Sequence, residues 1–385
     1  MTLLRRADKH RHVISDVSEP LVSVQHAQTA PATAARPPRV SVVIPCYNYG
    51  QYLPECVESA LTQEGVEVDV LIVDDASSDD SAQVAAEIAA KDPRVKVLGH
   101  ATNQGNVRTY NDGLALVTGT YAVLISADDL LTPGSLGRAC ALMEAHPEVG
   151  FVYGRPLVFT DDQPRPRPAT GPVRWTIWPG RQWFEIRCRL AENCICSPEA
   201  VMRTSLLQRL GFYRDELPHS GDLELWMRFA LHADVGYIAG PNQAYYRDHS
   251  TAMHRARWSG ALADHEQISA AFEMIFRDHG NMISDRRRAQ ARLRRALAAR
   301  ALRLACGAYD REPFDGAEAA ALEAFADHVG NDLDTLRAKC GLQIRKTLGA
   351  RLWRTAGPVR HAMTMVSRRW NHYRRQRLRR AGLLL

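Results

Sequence analysis

The stretch Tyr121-Ala-Val-Leu-Ile-Ser-Ala-Asp-Asp129 decides the fold, because an apolar run typical of a strand ends there in two carboxylates. A continuous apolar run that is rich in β-branched and aromatic residues predicts a strand of a parallel sheet, buried on both faces. In open α/β sheets the ligand crevice lies at the carboxyl ends of such strands. We therefore expect Asp128 and Asp129 at the rim of that crevice. The alternative is a solvated Asp-Asp turn that caps the next helix.

A second apolar run also ends in acids. Residues 68–73 run directly into Asp74 and Asp75. Apolar runs alternate with segments of helical periodicity throughout residues 40–153, which predicts a doubly wound, mostly parallel sheet of the α/β class. Because the strand ends of a parallel sheet meet at one crevice, the two acidic pairs are expected to share a site.

Carboxylates that lie close together are difficult to ionise without a partner. Mg²⁺ or Mn²⁺ is the usual partner, since such hard cations bind both carboxylate and phosphate oxygens. The chain lacks Gly-x-Gly-x-x-Gly after its first strand and lacks Gly-x-x-x-x-Gly-Lys-Ser/Thr. That absence argues against a dinucleotide enzyme and a P-loop ATPase. The pattern favours acids that hold a divalent cation, which in turn holds a diphosphate.

Length and composition suggest several globular units. The chain has 385 residues, 45% hydrophobic and 24% charged, which is ordinary for a soluble protein. Its eight cysteines are scattered without a zinc-binding pattern, and no run of 18 apolar residues occurs, so a reduced, cytoplasmic protein is expected. We expect a flexible leader at 1–38, an α/β domain at 39–255, a helical appendage at 256–343 and a basic helical tail at 344–385.

The predicted tail differs electrostatically from the rest of the chain. Residues 345–380 contain twelve Lys or Arg and no acid. Arginines interspersed with Trp and Leu are typical of an interfacial amphipathic helix that anionic lipids attract. We expect peripheral binding to the cytoplasmic face of a membrane, with a solvated or partner-binding helix as the alternative. Nucleic acid is not an expected partner, because no RNA-recognition motif accompanies the charge.

Six motifs within residues 39–254 resemble the inverting nucleotide-sugar glycosyltransferases of family two, which have the GT-A fold. In chain order they are Val-Ser-Val-Val-Ile-Pro-Cys-Tyr-Asn at 40–48, Val-Asp-Asp-Ala-Ser-Ser-Asp at 73–79, Asn-Gln-Gly at 103–105 with Asn-Asp-Gly at 111–113, Ala-Asp-Asp at 127–129, Gly-Asp-Leu-Glu-Leu-Trp at 221–226 and Tyr-Arg-Asp-His at 246–249. Each motif alone is weak evidence for the family, whereas all six in this order are strong evidence. The chain departs from the family at Gly221, where the family has an acid, and at Tyr110, where it often has Arg.

The resemblance implies a donor site. Tyr47 would stack on the nucleotide base, and Asp75 would accept a hydrogen bond from the base imide N–H. Asp128 would lie against the ribose and the donor. Pro45 and Asn111 match positions of the same site. The implied donor is a nucleotide-diphosphate sugar, and we expect a UDP-sugar.

The resemblance also implies the catalytic chemistry. Asp129 would ligate Mn²⁺ or Mg²⁺, and His249 would be a second ligand of the metal or of the diphosphate. Asp222 would act as the general base, taking the proton of an acceptor hydroxyl that attacks the anomeric carbon in a single displacement. The implied process is synthesis of cell-surface polysaccharide or glycolipid, with a lipid-linked glycan among the candidate acceptors.

Other functions and simpler structural roles remain as alternatives. A metal-dependent nucleotidyltransferase would need a glycine-rich, basic first loop, which Pro45-Cys46-Tyr47 does not provide. A non-catalytic nucleotide-sugar binding module would keep the fold without the base. Asp222 could be a plain acid at a helix N-terminus, and His249 a surface histidine.

The segment 155–179 is predicted to be a long irregular loop, which is where acceptor contacts are expected. Trp175, Trp178 and Trp183 could form a wall on which a sugar stacks, or they could simply pack in the core.

Overall fold

The computed structural model describes residues 24–26, 36–249, 260–330, 336–355, 376 and 378–383. The strands are β1 (Val24–His26), β2 (Arg39–Cys46), β3 (Glu67–Asp74), β4 (Val95–Gly99), β5 (Tyr121–Leu124), β6 (Leu130–Leu131), β7 (Val149–Tyr153), β8 (Pro156–Phe159), β9 (Arg174–Trp178), β10 (Val201–Arg203), β11 (Asp234–Ala239) and β12 (Ala244–Arg247). The helices are α1 (Leu53–Leu61), α2 (Ser81–Lys91), α3 (Asn106–Ala115), α4 (Ser135–Ala145), α5 (Gly180–Leu190), α6 (Thr204–Leu210), α7 (Gly221–His232), α8 (Ala261–Asp278), α9 (Arg286–Asp310), α10 (Gly316–Val329) and α11 (Leu336–Thr355).

The central sheet has the order β1-β9-β11-β7-β10-β5-β2-β3-β4 among the described residues. Strands β4, β3, β2 and β5 pair in parallel, as do β7 and β11. Strand β10 is antiparallel to both of its neighbours, and β9 is antiparallel to β11 and β1. All strands except β9 and β10 therefore run in one direction, and the predicted doubly wound, mostly parallel sheet is confirmed.

Each face of this sheet is covered by helices, which explains the continuous apolar strands. On β2, Val42 and Ile44 pack into one core and Val43 into the opposite core, and all three are fully buried. Successive residues of a strand point to opposite faces, so an unbroken apolar run is expected only where both faces are covered. The polar residues that follow these runs are consequently placed at the sheet's edge.

A small second sheet closes over that edge. Strand β12 pairs antiparallel with β6 and parallel with β8. Because β6 begins immediately after Asp129, this pairing brings the end of β12, including Arg247, against the acidic pair.

The helical region 260–355 packs onto the α/β domain. Helix α8 contacts α7, and α9 contacts α5, α10 and α11. Phe272 and Ile275 of α8 join the same hydrophobic core as Trp226 of α7. The two predicted units therefore share one core. Among the described residues, no helix is both long and apolar enough to cross a bilayer.

Both described parts of the predicted tail also contact the body of the protein. Trp353 is fully buried and donates from Nε1 to Asp310. Leu378 and Leu383 belong to the main core, and the carbonyl oxygen of Leu383 accepts from Arg187 Nη2 at 2.6 Å. Residues 356–375 lie outside the described residues, as does most of the predicted leader.

One local prediction was wrong, and a question that the sequence left open is answered. The segment 155–179 contains strands β8 and β9 rather than only an irregular loop. Trp178 and Trp183 are buried in the core, and Trp175 lies on β9 paired with Gln25 of β1. Their large apolar rings are therefore used for packing, and they form no exposed wall for a sugar.

Candidate active site

A cavity of about 740 Å³ opens at the carboxyl edge of the central sheet. It brings together most of the residues that the sequence singled out, although these are far apart in the chain. The predicted residues among its lining are Pro45, Tyr47, Asp75, Asp128, Asp129 and Asp222. The lining also includes residues without a predicted role, such as Asn103, Tyr110 and His219.

Tyr47 stands at the mouth of the cavity and is 45% exposed. The turn that presents it is fixed by Asn48, whose side-chain oxygen accepts from the backbone N–H of Ser78 at 2.8 Å. Asn48 has φ 58°, in the left-handed region that Asn tolerates better than most residues. An exposed aromatic ring on a fixed turn can stack on a planar ligand, which a packing tyrosine cannot do.

Asp75 is buried and its oxygens are already engaged by the protein. One oxygen accepts from the backbone N–H of Gln104 at 2.7 Å and lies 2.8 Å from His100 Nδ1. The other accepts from the N–H of Gly105 at 2.9 Å. Asp75 thus organises the loop at the start of α3, and it borders the cavity through that loop.

Asn111 is engaged in the same way. Its side-chain nitrogen donates to the carbonyl oxygen of Tyr213, and its side-chain oxygen accepts from the N–H of Tyr213, both at 2.9 Å. The structure does not bring Asn111 to the cavity surface. It ties α3 to the segment that carries Tyr213, a residue that does line the cavity.

Asp128 and Asp129, the acidic pair that follows β5, have different surroundings. Asp129 Oδ1 accepts from the backbone N–H of Arg247 at 2.9 Å, so β12 holds this side chain from behind. Burial, reinforced by the charge of Asp128, raises the pKa of Asp129 well above its usual range. Asp128 Oδ2 lies 2.8 Å from His249 Nε2, while Asp128 Oδ1 is buried without a hydrogen-bond partner.

This arrangement fits a divalent cation at Asp128. A buried carboxylate oxygen without a partner is unfavourable unless something neutralises it, and an adjacent imidazole is an ordinary second ligand. Among the described residues, no group of three or more His, Cys, Asp or Glu is arranged to hold a metal. Asp128 and His249 would therefore supply two ligands, and an ion there would need oxygens of the substrate or water to complete its shell.

Asp222 lies in the first turn of α7 on the cavity wall. Its Oδ1 accepts from the N–H of Leu223 at 2.7 Å, and its Oδ2 accepts from Asn193 Nδ2 at 2.8 Å. Burial raises the pKa of Asp222 to about 6, against these hydrogen bonds and the charge of His219, which lower it. A carboxylate with such a pKa is ionised at neutral pH and is a stronger base than an ordinary aspartate.

Helix α7 is held rigidly, which fixes Asp222. Glu224 and Arg228 form a fully buried ion pair at 2.9 Å. Arg228 also donates to the carbonyl oxygens of Leu210, Gly211 and Phe212. Removing one partner of a buried pair of this kind costs about 3–5 kcal/mol, so the helix start has little freedom.

The sequence did not reveal three groups close to Asp222. Asn193 binds it directly, His219 influences its charge, and Glu199 is a buried acid whose Oε1 accepts from the N–H of Cys196 at 2.7 Å. Burial raises the pKa of Glu199 to about 7, against that hydrogen bond. These residues come from loops without a periodic pattern. The signal for Asn193 and Glu199 was their position as isolated polar residues in the mostly apolar stretch 193–202, and His219 had no such signal.

Comparison with known proteins identifies the family. The family described as Glycosyl transferase family 2 matches residues 41–211, which include the acidic pairs. The uncharacterized protein MT1568 of Mycobacterium tuberculosis (strain CDC 1551 / Oshkosh) is 30% identical over 238 residues, 57% of this chain and 70% of that protein. The chain belongs to glycosyl transferase family 2. The predicted family and the prediction of a glycosyltransferase enzyme are thereby confirmed.

Another relative matches a shorter segment. Chondroitin synthase of Escherichia coli is 38% identical over 105 residues, which cover 27% of this glycosyltransferase and 15% of the synthase. The chain thus spans only a small part of that relative.

Solved structures confirm the GT-A type of fold. The structure of S. aureus TarS 1-349 in complex with UDP-GlcNAc has a TM-score of 0.56 at 18% identity, covering 82% of this glycosyltransferase and 90% of TarS 1-349. The mannosyltransferase PcManGT from Pyrobaculum calidifontis, in complex with GDP-Man and Mn²⁺, has a TM-score of 0.52 at 18% identity and covers 93% and 92% of the two chains. At this identity the likeness concerns the fold alone.

Proposed function

We propose that this family 2 glycosyltransferase transfers a sugar from a nucleotide-diphosphate donor to a hydroxyl acceptor, with inversion, in a single displacement. The observation that carries this proposal is that one cavity holds an exposed aromatic ring at Tyr47, an unpartnered carboxylate oxygen at Asp128 and a raised-pKa carboxylate at Asp222. These are the three kinds of group that base stacking, diphosphate binding and acceptor activation require.

Asp222 performs the proton transfer in this proposal. Each carboxylate oxygen has two lone pairs, so Asp222 can accept from a hydroxyl while it keeps its bonds to Leu223 and Asn193. The acceptor oxygen loses its proton to Asp222 as it forms the new bond to the anomeric carbon. The bond from that carbon to the diphosphate breaks on the opposite face, which inverts the configuration.

In this proposal Asp128 and His249 would hold the divalent cation, and Asp129, which accepts from Arg247 of β12, would support them. This differs from the assignment that the sequence suggested, in which Asp129 was the ligand. It is favoured because Asp128 has the unpartnered oxygen, whereas Asp129 accepts from the backbone of Arg247. When bound, Mn²⁺ or Mg²⁺ supplies charge neutralisation for the departing diphosphate.

We propose that the donor carries a uridine nucleotide and that the reaction belongs to polysaccharide synthesis. The first is supported by the TarS complex with UDP-GlcNAc and the second by the match to chondroitin synthase. The likeness to PcManGT, which binds GDP-Man, makes a guanosine donor the competing candidate.

A panel of nucleotide sugars with and without Mn²⁺ tests the donor proposal. We expect a UDP-sugar to raise the melting temperature most, and only in the presence of Mn²⁺, because a cation held by Asp128 and His249 would attract the diphosphate. Slow hydrolysis of the same donor should accompany the shift. If GDP-Man stabilises the protein and UDP-sugars do not, the uridine proposal is wrong. If none of the nucleotide sugars stabilises it, the proposed function is wrong.

We also propose that the basic stretch 356–375 binds anionic membranes. It contains five arginines and no acid, and each can contribute roughly 1 kcal/mol near an anionic surface. Replacing these five arginines by glutamine should abolish flotation with anionic liposomes at low salt, without disturbing the buried Trp353 or Leu378. Equal flotation of both proteins, or equal flotation with neutral vesicles, would contradict this proposal.

A further inference from the structure

The helical region contacts two segments that reach Asp222, and a single arginine joins both contacts. Arg300 of α9 donates from Nη1 to the carbonyl oxygen of Ala191 at 2.8 Å. From Nη2 it donates to Asp264 Oδ2 of α8 at 3.2 Å. A guanidinium has donors in a fixed planar arrangement, so it holds its two partners at a defined separation.

The first contact leads to Asp222 through the loop after α5. Ala191 ends that helix in the left-handed region, with φ 50°, and the chain continues to Asn193, which binds Asp222 at 2.8 Å. Between them, the carbonyl oxygen of Glu192 accepts from Arg187 at 3.2 Å. A non-glycine residue with positive φ is a strained position that the surroundings must maintain. Arg300 supplies one of these contacts by fixing the carbonyl of that residue.

The second contact leads to Asp222 through His219. Asp264 Oδ1 lies 3.2 Å from His219 Nε2, and the backbone N–H of His219 donates to Gln267 of the same helix at 3.3 Å. His219 lines the cavity next to the start of α7, and its positive charge lowers the pKa of Asp222. Burial opposes ionisation of Asp264, but the hydrogen bond from His219 and the charge of Arg300 prevail and lower its pKa.

We propose that Arg300 is a positioning residue for the transfer reaction: by holding Ala191 and Asp264 together, it sets Asn193 and His219 on either side of Asp222. Arg300 touches neither cavity nor substrate, so it acts only through these neighbours. The helical region thereby becomes part of the catalytic apparatus. This inference rests on the proposed role of Asp222 as the base.

The expected pH dependence follows from the groups that face Asp222. These are His219 and Asn193, which favour its charged form, and the buried acid Glu199, whose charge opposes that of Asp222. The phenols of Tyr110 and Tyr213 also lie near Asp222, and their raised pKa values keep them uncharged at this pH. A base must be deprotonated, so activity should fall as the pH drops through about 6. Loosening His219 and Asn193 removes charge-stabilising contacts, which raises the pKa of Asp222 and moves this fall to higher pH.

The test compares Arg300→Met with Arg311→Met in the full chain. Arg311 pairs with Glu318 at 3.1 Å within the helical region, so its loss controls for removing an ion pair there. We expect Arg300→Met to lower kcat/KM for the acceptor about tenfold, the scale of a small misplacement of catalytic groups. The acid limb of its pH profile should move upward, and nucleotide-sugar affinity should be unchanged. Arg311→Met should match the wild-type protein in all three measurements.

Asp264→Asn keeps the size of the side chain that Arg300 contacts. It tests the positioning role by itself if Arg300→Met fails to fold. It should shift the acid limb in the same direction, because His219 loses its anionic partner. The positioning role is wrong if Arg300→Met and Asp264→Asn both keep the wild-type pH profile. If Asp222→Asn is inactive in the same experiment, the assignment of Asp222 as the base still holds. An active Asp222→Asn enzyme would overturn both.

Discussion

Replacing Asp222 by asparagine should lower turnover by roughly 10²–10⁴. Asparagine keeps the size of the side chain and can still accept from Asn193 or Leu223, but it cannot take the proton of an acceptor hydroxyl. The affinity for the nucleotide sugar should remain, because the proposed donor contacts lie at Tyr47 and Asp128. Single-turnover transfer and donor titration on the same preparations measure the two effects separately.

Asp215→Asn is the matched control for this experiment. Asp215 is an exposed carboxylate seven positions earlier in the chain, outside the cavity lining, and its replacement should leave turnover unchanged. Transfer at the wild-type rate by Asp222→Asn would disprove the base assignment. A product with retained anomeric configuration would instead contradict the single displacement, whichever residue is the base.

Loss of the cation site that we propose at Asp128 should have an effect of similar size. Asp128→Asn removes the charge that faces the cavity, and turnover should fall by a factor on the order of 10³, since charge neutralisation of the leaving group contributes several kcal/mol. The Mn²⁺ concentration for half-maximal activity should rise steeply. Excess chelator should abolish activity of the wild-type enzyme, and added Mn²⁺ should restore it.

Asp129→Asn distinguishes the two acids of this pair. Asparagine can still accept from the backbone N–H of Arg247, so Asp129→Asn should leave both the melting temperature and the Mn²⁺ requirement nearly unchanged. The reverse result, with Mn²⁺ affinity lost in Asp129→Asn and kept in Asp128→Asn, would restore the assignment suggested by the sequence. Unchanged wild-type turnover in excess chelator would contradict metal dependence as such.

The central sheet was predictable from the sequence because its signals are local. A strand buried on both faces must be apolar throughout, and acids at its end must lie at an edge, so residues 121–129 specify both strand and site. The same reasoning failed for 155–179, where Pro and Arg obscure two short strands. Trp183 was ambiguous for a different reason, since an aromatic ring serves equally well in a core or on a sugar-binding surface.

The environment of Asp222 could not be predicted because it is assembled from distant segments. Asn193 and His219 flank Asp222 through contacts that depend on Arg300, which lies 78 positions beyond Asp222 in the chain. No periodicity or motif connects such residues. The different hydrogen-bond partners of Asp128 and Asp129 could not be predicted for the same reason, because Arg247 reaches Asp129 through the pairing of β12 with β6.

The contacts of residues 378–383 bear on how the chain reaches its native state. Tyr153 donates to the carbonyl oxygen of Gly382, 229 positions away, and Arg187 donates to that of Leu383, 196 positions away. Closing such loops carries an entropic cost that grows with their length, so contacts of this separation tend to form after local ones. We therefore expect the core beside β7 and α5 to be completed late in folding, by residues from beyond the helical region. We therefore expect the two stretches of sequence on either side of the predicted boundary near residue 255 to fold as one unit, since they share one core.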